Sequence, residues 1–144
     1  MKTYMQKTAE VKHEWHLIDV KDRVLGQAAT EVALKLMGKN KPTFTPHIDN
    51  GDFVVVVNAG LVHITGNKAN KKKYYDHSLF PGGLRQASFA ELQVKNPEKI
   101  IERAVYNMLP DNRLRQPRMA RLKVYPTAEH AHQSQLGSKQ AEQA

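Results

Sequence analysis

The residues most capable of chemistry lie in one short polar stretch, where His47, Asp49 and Asp52 fall within six positions of one another. A histidine and two carboxylates at this spacing could hold a hard metal ion or act as a general acid and base. They would then form the centre of a small metal-dependent hydrolase. The same residues would also suit an ordinary loop whose aspartates cap turns or pair with nearby Lys or Arg. We favour the loop, because the sequence specifies no further ligands for a metal.

Other enzyme motifs are absent from the sequence. There is no cysteine, which removes thiolate nucleophiles and disulfides, and there is no G-x-S-x-G. The stretch Thr65-Gly-Asn-Lys68 lacks the spacing of a P-loop, and we predict no helix directly after Gly66. Near the C-terminus, Glu129-His-Ala-His132 lacks the i, i+4 histidine spacing of a zinc helix. We therefore predict no catalytic residue, no metal ligand and no cofactor.

Clustered cations predict a nucleic-acid-binding surface. Lysine ammonium groups suit phosphates, tyrosine rings stack on unpaired bases, and arginine forms bidentate phosphate contacts. The alternative is a solvated charged face on which Tyr74 and Tyr75 are half-buried strand residues. The predicted nucleic-acid-binding residues are Lys39, Lys41, His47, Lys68, Lys71, Lys72, Lys73, Tyr74, His77, Arg85, Arg113, Arg115, Arg118, Arg121 and Lys123.

The distribution of charge supports this prediction more than the formal net charge of +8 does. Residues 1–52 have a net charge of +1, residues 53–90 of +4, residues 91–111 of −1, and residues 112–144 of +4. Two cationic blocks therefore flank a near-neutral segment. Such clustering points to a polyanionic partner.

These side chains need elements to position them, and the first half of the chain predicts a βαβ unit. Trp15–Val20 is a short apolar strand, Asp22 can cap the next element, and an apolar stripe of period 3.6 predicts a helix from Val24 to a stop at Gly38. Phe53–Val57 is the longest unbroken apolar run and is rich in β-branched residues. It predicts a strand buried on both faces at the centre of a sheet.

The second half alternates loops, helices and short strands. Asn58-Ala-Gly60 predicts a turn into a second strand at Leu61–Thr65, paired to the first as a hairpin. Pro81-Gly-Gly83 predicts a flexible loop. The further predicted elements are a helix from Phe89 to about Val94 capped by Ser88 and Glu91, a helix begun by Asn96-Pro97 and ended by Pro110, a helical segment from Asn112 to Ala120, and a strand at Leu122–Tyr125.

We therefore predict a small three-layer α/β domain, with a central, largely parallel sheet flanked by helices and basic loops. Residues 1–132 form this single domain, of which residues 1–13 are a loosely held arm. Residues 133–144, rich in Gln, Ser and Ala, are predicted to be a flexible tail that is disordered without a partner. No apolar segment predicts a signal peptide or a membrane span, so we expect a soluble cytoplasmic protein.

Short motifs in a specific order make the chain resemble the bacterial large-subunit (50S) ribosomal protein L13 family. Each motif alone is weak, and the combination from about Trp15 to His132 is specific. The motifs are Trp15-His-Leu-Ile-Asp19, Leu25-Gly-Gln-Ala-Ala-Thr30, Thr43-Phe-Thr-Pro-His-Ile-Asp-Asn-Gly-Asp52, Val56-Val-Asn-Ala59, Ile64-Thr-Gly-Asn-Lys68, Tyr74-Tyr-Asp-His77, Met108-Leu-Pro110, Leu122-Lys-Val-Tyr125 and Glu129-His-Ala-His132.

The resemblance implies a structural RNA-binding protein with no catalytic activity. Its expected partners are large-subunit (23S) ribosomal RNA, which it would bind early in subunit assembly, and neighbouring large-subunit proteins. Some bacterial members are thought to repress their own messenger RNA, which adds that RNA as an expected partner. No membrane contact and no homo-oligomer are expected. The alternatives are the hydrolase centred on His47, Asp49 and Asp52, and a general RNA-chaperone or nucleoid protein.

Overall fold

A computed structural model describes the backbone of residues 3–140 and the side chains of residues 3–137. Two short 3-10 helices, Thr8–Glu10 and Ala59–Leu61, accompany five strands and six α-helices in these residues. In chain order these are β1 (Trp15–Asp19), α1 (Leu25–Met37), β2 (Phe53–Val57), α2 (Lys68–Lys71), β3 (Lys73–His77), β4 (Leu84–Ser88), α3 (Phe89–Lys95), α4 (Pro97–Met108), α5 (Arg115–Ala120), β5 (Leu122–Val124) and α6 (Gln133–Gln140).

A three-stranded parallel sheet with the order β1-β2-β5 forms the centre of the fold. Strand β2 is the middle strand, and the side chains of Val54, Val55 and Val56 are 0% exposed. β-Branched residues pack well on both faces of a strand that is fully enclosed. The predicted α/β class, the parallel sheet flanked by helices and the central position of Phe53–Val57 are confirmed.

Helix α1 packs beside α4 and contributes its whole predicted apolar stripe to the core. It ends at Gly38, which adopts a left-handed conformation with φ of +75° and donates its amide to the Leu34 carbonyl. A Cβ at Gly38 would lie 2.5 Å from the Asn50 carbonyl oxygen. Glycine is therefore required both by the backbone angle and by the close approach of the loop that leads into β2.

The predicted hairpin partner of β2 at Leu61–Thr65 is wrong. Both edges of β2 are already paired, to β1 and to β5, so no edge remains for a third strand. Asn58 turns the chain away with a φ of +61°, and His63 instead forms a single bridge with Val24 at the start of α1. The prediction that Asp22 caps α1 is also wrong. The Asp22 carboxylate contacts His63, and the N-cap residue of α1 is Val24.

An antiparallel hairpin of β3 and β4 lies within the first cationic block, residues 53–90, and the sequence analysis did not predict it. Its strands are mostly polar and exposed, so they lack the alternation by which a half-buried strand is recognised. The segment Pro81–Gly83 belongs to the turn, which is closed by bonds from the Ser78 amide to Gly83 and from the Gly83 amide to Phe80. The four-residue helix α2 was also not predicted.

The remaining helices follow local signals. Ser88 accepts from the Glu91 amide and Glu91 accepts from the Ser88 amide, which confirms the capping box of α3. Helix α4 begins at Pro97 as predicted, and Ile100, Ile101 and Val105 are buried against α1. Helix α5 is shorter than the predicted segment and starts at Arg115.

The two ends of the chain contact the sheet and its loops. Gln6 is buried and donates to Asn50, and the His13 ring bonds to the Gly51 carbonyl. Helix α6 lies next to β1, and the His132 ring is 5.1 Å from that of Trp15. The predicted tail thus contains a helix over Gln133–Gln140, and residues 141–144 lie outside the described part. The looseness of the arm and the disorder of the tail in the free protein stay predictions.

Candidate nucleic-acid interface

The α1–β2 loop, residues 38–52, is held by an ion pair between Lys41 and Asp52. The Lys41 ammonium lies 2.5 Å from Asp52 Oδ1 and also donates to the carbonyls of Lys12 and Asn50. His16 Nε2 lies 2.9 Å from the other carboxylate oxygen, and the Glu14 amide donates to Asp52 as well. Lys41 is therefore directed inward, which makes it a tether for the loop rather than an exposed phosphate ligand.

The same carboxylate belongs to a trio of potential metal ligands. Ligand atoms of Glu14, His16 and Asp52 lie within 4.8 Å of one another, the one such group found among the described residues. The Lys41 ammonium already balances the negative charge of the Asp52 carboxylate. His47 and Asp49 do not belong to the trio, so the candidate hydrolase centre of the sequence is not assembled as one site.

Burial alone would raise the pKa of Asp52, but hydrogen bonds from His16, Lys41 and the Glu14 amide lower that pKa from 3.8 to about 2. A folded-state pKa below the unfolded value means that the ionised form stabilises the fold above about pH 4. This contribution, on the order of 2 kcal/mol, is lost as the pH falls through about 2. We expect urea unfolding to show Asp52→Asn less stable than wild type at pH 7 and the difference to shrink between pH 4 and pH 2. A difference that stays constant over this range would contradict the assigned role.

Asp49 binds two arginines that the sequence analysis assigned to nucleic acid. Arg121 forms a bidentate pair with it, with N–O distances of 2.6 and 2.5 Å. Arg118 Nε lies 3.6 Å from Asp49 Oδ1, and the Arg118 side chain is only 2% exposed. Both guanidinium groups therefore point into the fold, where they hold the α1–β2 loop against α5. The predicted pairing of Asp49 and Asp52 with nearby Lys or Arg is confirmed.

Most of the other predicted cations are exposed. Arg115 is half-buried and donates to the carbonyls of Leu109 and Pro110, which fixes the turn between α4 and α5. Lys123 is half-buried in β5. The exposed members of the predicted set are Lys39, His47, Lys68, Lys71, Lys72, Lys73, His77, Arg85 and Arg113.

Tyr74 lies where the hairpin meets α4, and two cations approach its ring. Lys72 Nζ is 5.2 Å and Arg103 Cζ is 5.7 Å from the ring centroid. Arg103 also forms an ion pair with Asp76, so it ties the hairpin to α4. Burial raises the pKa of Tyr74, an effect opposed by Arg103, and the phenol is therefore protonated at neutral pH.

Three clefts surround the C-terminal half of α4, and residues from both cationic blocks, 53–90 and 112–144, line them. The first, of about 350 Å³, and the second, of about 470 Å³, share Lys72 and Asn107. The third, of about 450 Å³, includes Lys39 and Arg118 and shares Met108 with the first. We call this continuous region the α4 surface. Its exposed lysines are Lys39, Lys68, Lys72 and Lys73, whereas Arg118 is buried beside Asp49. One extended polyanion could contact these lysines.

The sequence analysis missed the contribution of α4 itself. Arg103, Tyr106 and Asn107 line the second cleft, and Tyr106 and Asn107 follow Arg103 by three and four positions on one face of the helix. Arg115 Cζ stacks 4.4 Å from the Tyr106 ring centroid. The available signal was an arginine, a tyrosine and an asparagine on one helical face, but the net charge of −1 over residues 91–111 concealed it.

No helix in the part of the chain that the structure describes is long and apolar enough to cross a membrane. The fold and the α4 surface define a small basic α/β protein with an open cationic and aromatic face. The family profile described as Ribosomal protein L13 matches residues 13–131. The chain belongs to the Ribosomal protein L13 family, as the sequence resemblance predicted.

Bacterial relatives match nearly the whole chain at about half identity. The protein of Kocuria rhizophila is 50% identical over 94% of this chain and 92% of its own length. Those of Saccharopolyspora erythraea and Syntrophomonas wolfei are 53% and 52% identical over 94% of this chain, and over 91% and 94% of their own lengths. All three are named large ribosomal subunit protein uL13.

Proposed function

We propose that the protein is a structural constituent of the large ribosomal subunit that binds large-subunit ribosomal RNA through the α4 surface. Family membership over residues 13–131 is the observation that carries the ribosomal assignment. Relatives that match 94% of the chain are named for the large ribosomal subunit. Members of this family are structural rather than enzymatic, so the chain is not an enzyme and the hydrolase alternative is not supported. Its place is then the cytoplasm, as part of the ribosome.

Charge and exposure support the choice of RNA-binding side. The exposed lysines of residues 68–73 lie next to the clefts around α4, where they can reach phosphates without breaking a salt bridge to any described residue. Lys39, Arg113 and Arg85 extend the proposed contacts, with His47 and His77 as polar ligands. Lys41, Arg118 and Arg121 are proposed to act indirectly, by holding the α1–β2 loop and α5 in place.

The remaining expected partners follow from the ribosomal role. The protein is proposed to join ribosomal RNA early in subunit assembly as a monomer, and then to touch neighbouring large-subunit proteins. Binding to its own messenger RNA would use the same cationic side chains. Competition between 23S rRNA and that messenger RNA for the protein would test whether the two share one surface.

Salt dependence of binding to 23S rRNA tests the electrostatic proposal. A protein that neutralises Z phosphates should lose affinity with salt, with a slope of log K against log salt of about −0.7Z on single strands and −0.9Z on duplexes. Filter binding between 50 and 200 mM salt measures this slope. Binding that does not change over this range would contradict the proposal.

Co-sedimentation separates a ribosomal constituent from a general RNA-chaperone or nucleoid protein. A constituent of the large subunit should remain with that subunit, at one copy per particle, after a high-salt wash. A nonspecific RNA or DNA binder should be released, because its binding rests on exchangeable phosphate contacts alone. Release of the protein together with loss of the one-to-one ratio would favour the chaperone alternative.

A further inference from the structure

The second cleft, between strand β3 and helix α4, has the chemistry of a site for a single nucleotide. Its volume of about 470 Å³ lies within the ~300–1,000 Å³ typical of small-ligand sites. Lys72 and Lys73 border it on the hairpin side, and Tyr106 and Asn107 border it on the helix side. Cations for a phosphate and an aromatic ring for a base are thus placed across one opening.

Tyr106 is suited to act as a stacking platform. Its residue surface is 37% exposed, and Arg115 lies against the ring at 4.4 Å. Arg115 is itself fixed by its bonds to the carbonyls of Leu109 and Pro110. The ring is therefore held in position before any ligand arrives, which reduces the entropy lost on stacking. A base stacked on this ring would gain a contact that any of the four bases can make.

Two polar groups at the cleft have no internal partner. The Tyr74 hydroxyl is buried and makes no hydrogen bond to any described residue. The Asn107 amide, also within the described chain, makes no side-chain hydrogen bond and is exposed at the cleft. The Tyr74 hydroxyl is not accessible from the cleft, so the Asn107 amide is the group available to a ligand. An asparagine amide can both donate to and accept from a base edge.

We propose that this cleft binds one unstacked nucleotide of the ribosomal RNA, with its base on Tyr106 and its phosphate at Lys72 and Lys73. The Asn107 amide bonds to the edge of the base. The inference rests on the proposed RNA-binding function and adds an aromatic, salt-independent contact to it. A free nucleotide shares this chemistry. We assign the ligand to an RNA strand because the exposed Lys68 and Lys71 continue the cationic path beyond the cleft.

Paired substitutions of Tyr106 in the full-length protein test the proposal. Tyr106→Leu removes the ring and should weaken binding to a 23S rRNA transcript about 5- to 150-fold, the range for loss of one stacked base. Tyr106→Phe keeps the ring and should bind as wild type does. The salt slope should be unchanged in both variants, because no phosphate contact is lost. Urea unfolding of both variants checks that the fold is intact.

The outcomes separate this inference from the proposed function. Wild-type protein that binds the transcript with the expected salt slope, but with equal affinity in wild type and Tyr106→Leu, would overturn the cleft assignment alone. Equal weakening in Tyr106→Phe would also overturn it, because stacking would then not be the cause. Adenosine and uridine monophosphates are the second probe. Displacement of the transcript by either at micromolar concentration would reassign the cleft to a free nucleotide.

Discussion

Replacing Asp49 with alanine is expected to lower the free energy of unfolding by about 3–5 kcal/mol, the cost of removing one partner of a buried ion pair. The substitution leaves the guanidinium of Arg121 without its bidentate acceptor and Arg118 without its nearest carboxylate. Arg118 is almost completely inaccessible to water, so solvent cannot replace the lost acceptor. Urea unfolding at pH 7, followed by the midpoint and the slope, measures the change.

Asp111→Ala provides the matched control. Asp111 also pairs with an arginine, Arg115, at 3.1 Å, but its side chain is 92% exposed. Exposed pairs contribute roughly 0–1 kcal/mol, so this substitution should leave the unfolding midpoint nearly unchanged. Equal stability of the Asp49→Ala and Asp111→Ala variants would show that the interior pair does not hold the α1–β2 loop.

Reversing the charge of Lys71, Lys72 and Lys73 to glutamate should remove most of the affinity for 23S rRNA while leaving the fold intact. All three side chains are exposed and none forms a salt bridge within the described residues. The loss of three phosphate contacts should reduce the magnitude of the salt slope by about 2 on single-stranded RNA. Filter binding at several salt concentrations measures both quantities, and circular dichroism checks the fold.

The control carries the same change in net charge on another part of the molecule. Lys7, Lys12 and Lys21 are exposed, and none of them borders the three clefts around α4. Their triple replacement by glutamate should weaken binding much less, through the general reduction of positive charge only. If the two triple variants lose affinity equally, net charge rather than the lysines of residues 71–73 determines binding.

Local sequence signals predicted those elements whose causes are themselves local. Helix α1 has its apolar stripe and Gly38 stop, α3 has its Ser88 and Glu91 box, and β2 has a run of valines. Each of these depends on residues a few positions apart. The hairpin of β3 and β4 was missed because its polar strands are stabilised by their contacts with one another and with α4 rather than by a buried alternating face.

The candidate site was predicted in composition but not in arrangement. Counting charges found the exposed lysines of residues 68–73. It could not separate them from Arg118 and Arg121, whose acceptor Asp49 lies 72 positions before Arg121. Pairing over that distance depends on the complete sheet. Nor could a charge count reveal Arg103 and Tyr106, since residues 91–111 have a net charge of −1 and the polar face of the helix becomes visible only when the helix is packed.

The parallel pairing of β2 with β5 has a consequence for the order of events during synthesis. Leu122 of β5 pairs with Val54 of β2. The elements that lie between β2 and β5 in the chain, including those that border the α4 surface, are therefore translated before β5. A nascent chain that has exposed only β1, α1 and β2 holds an open sheet edge and lacks the arginine that anchors Asp49. The sheet therefore closes only after β5 has left the exit tunnel. Competence to bind RNA should consequently arise in one step, once residues 122–124 are available, rather than growing as the chain lengthens.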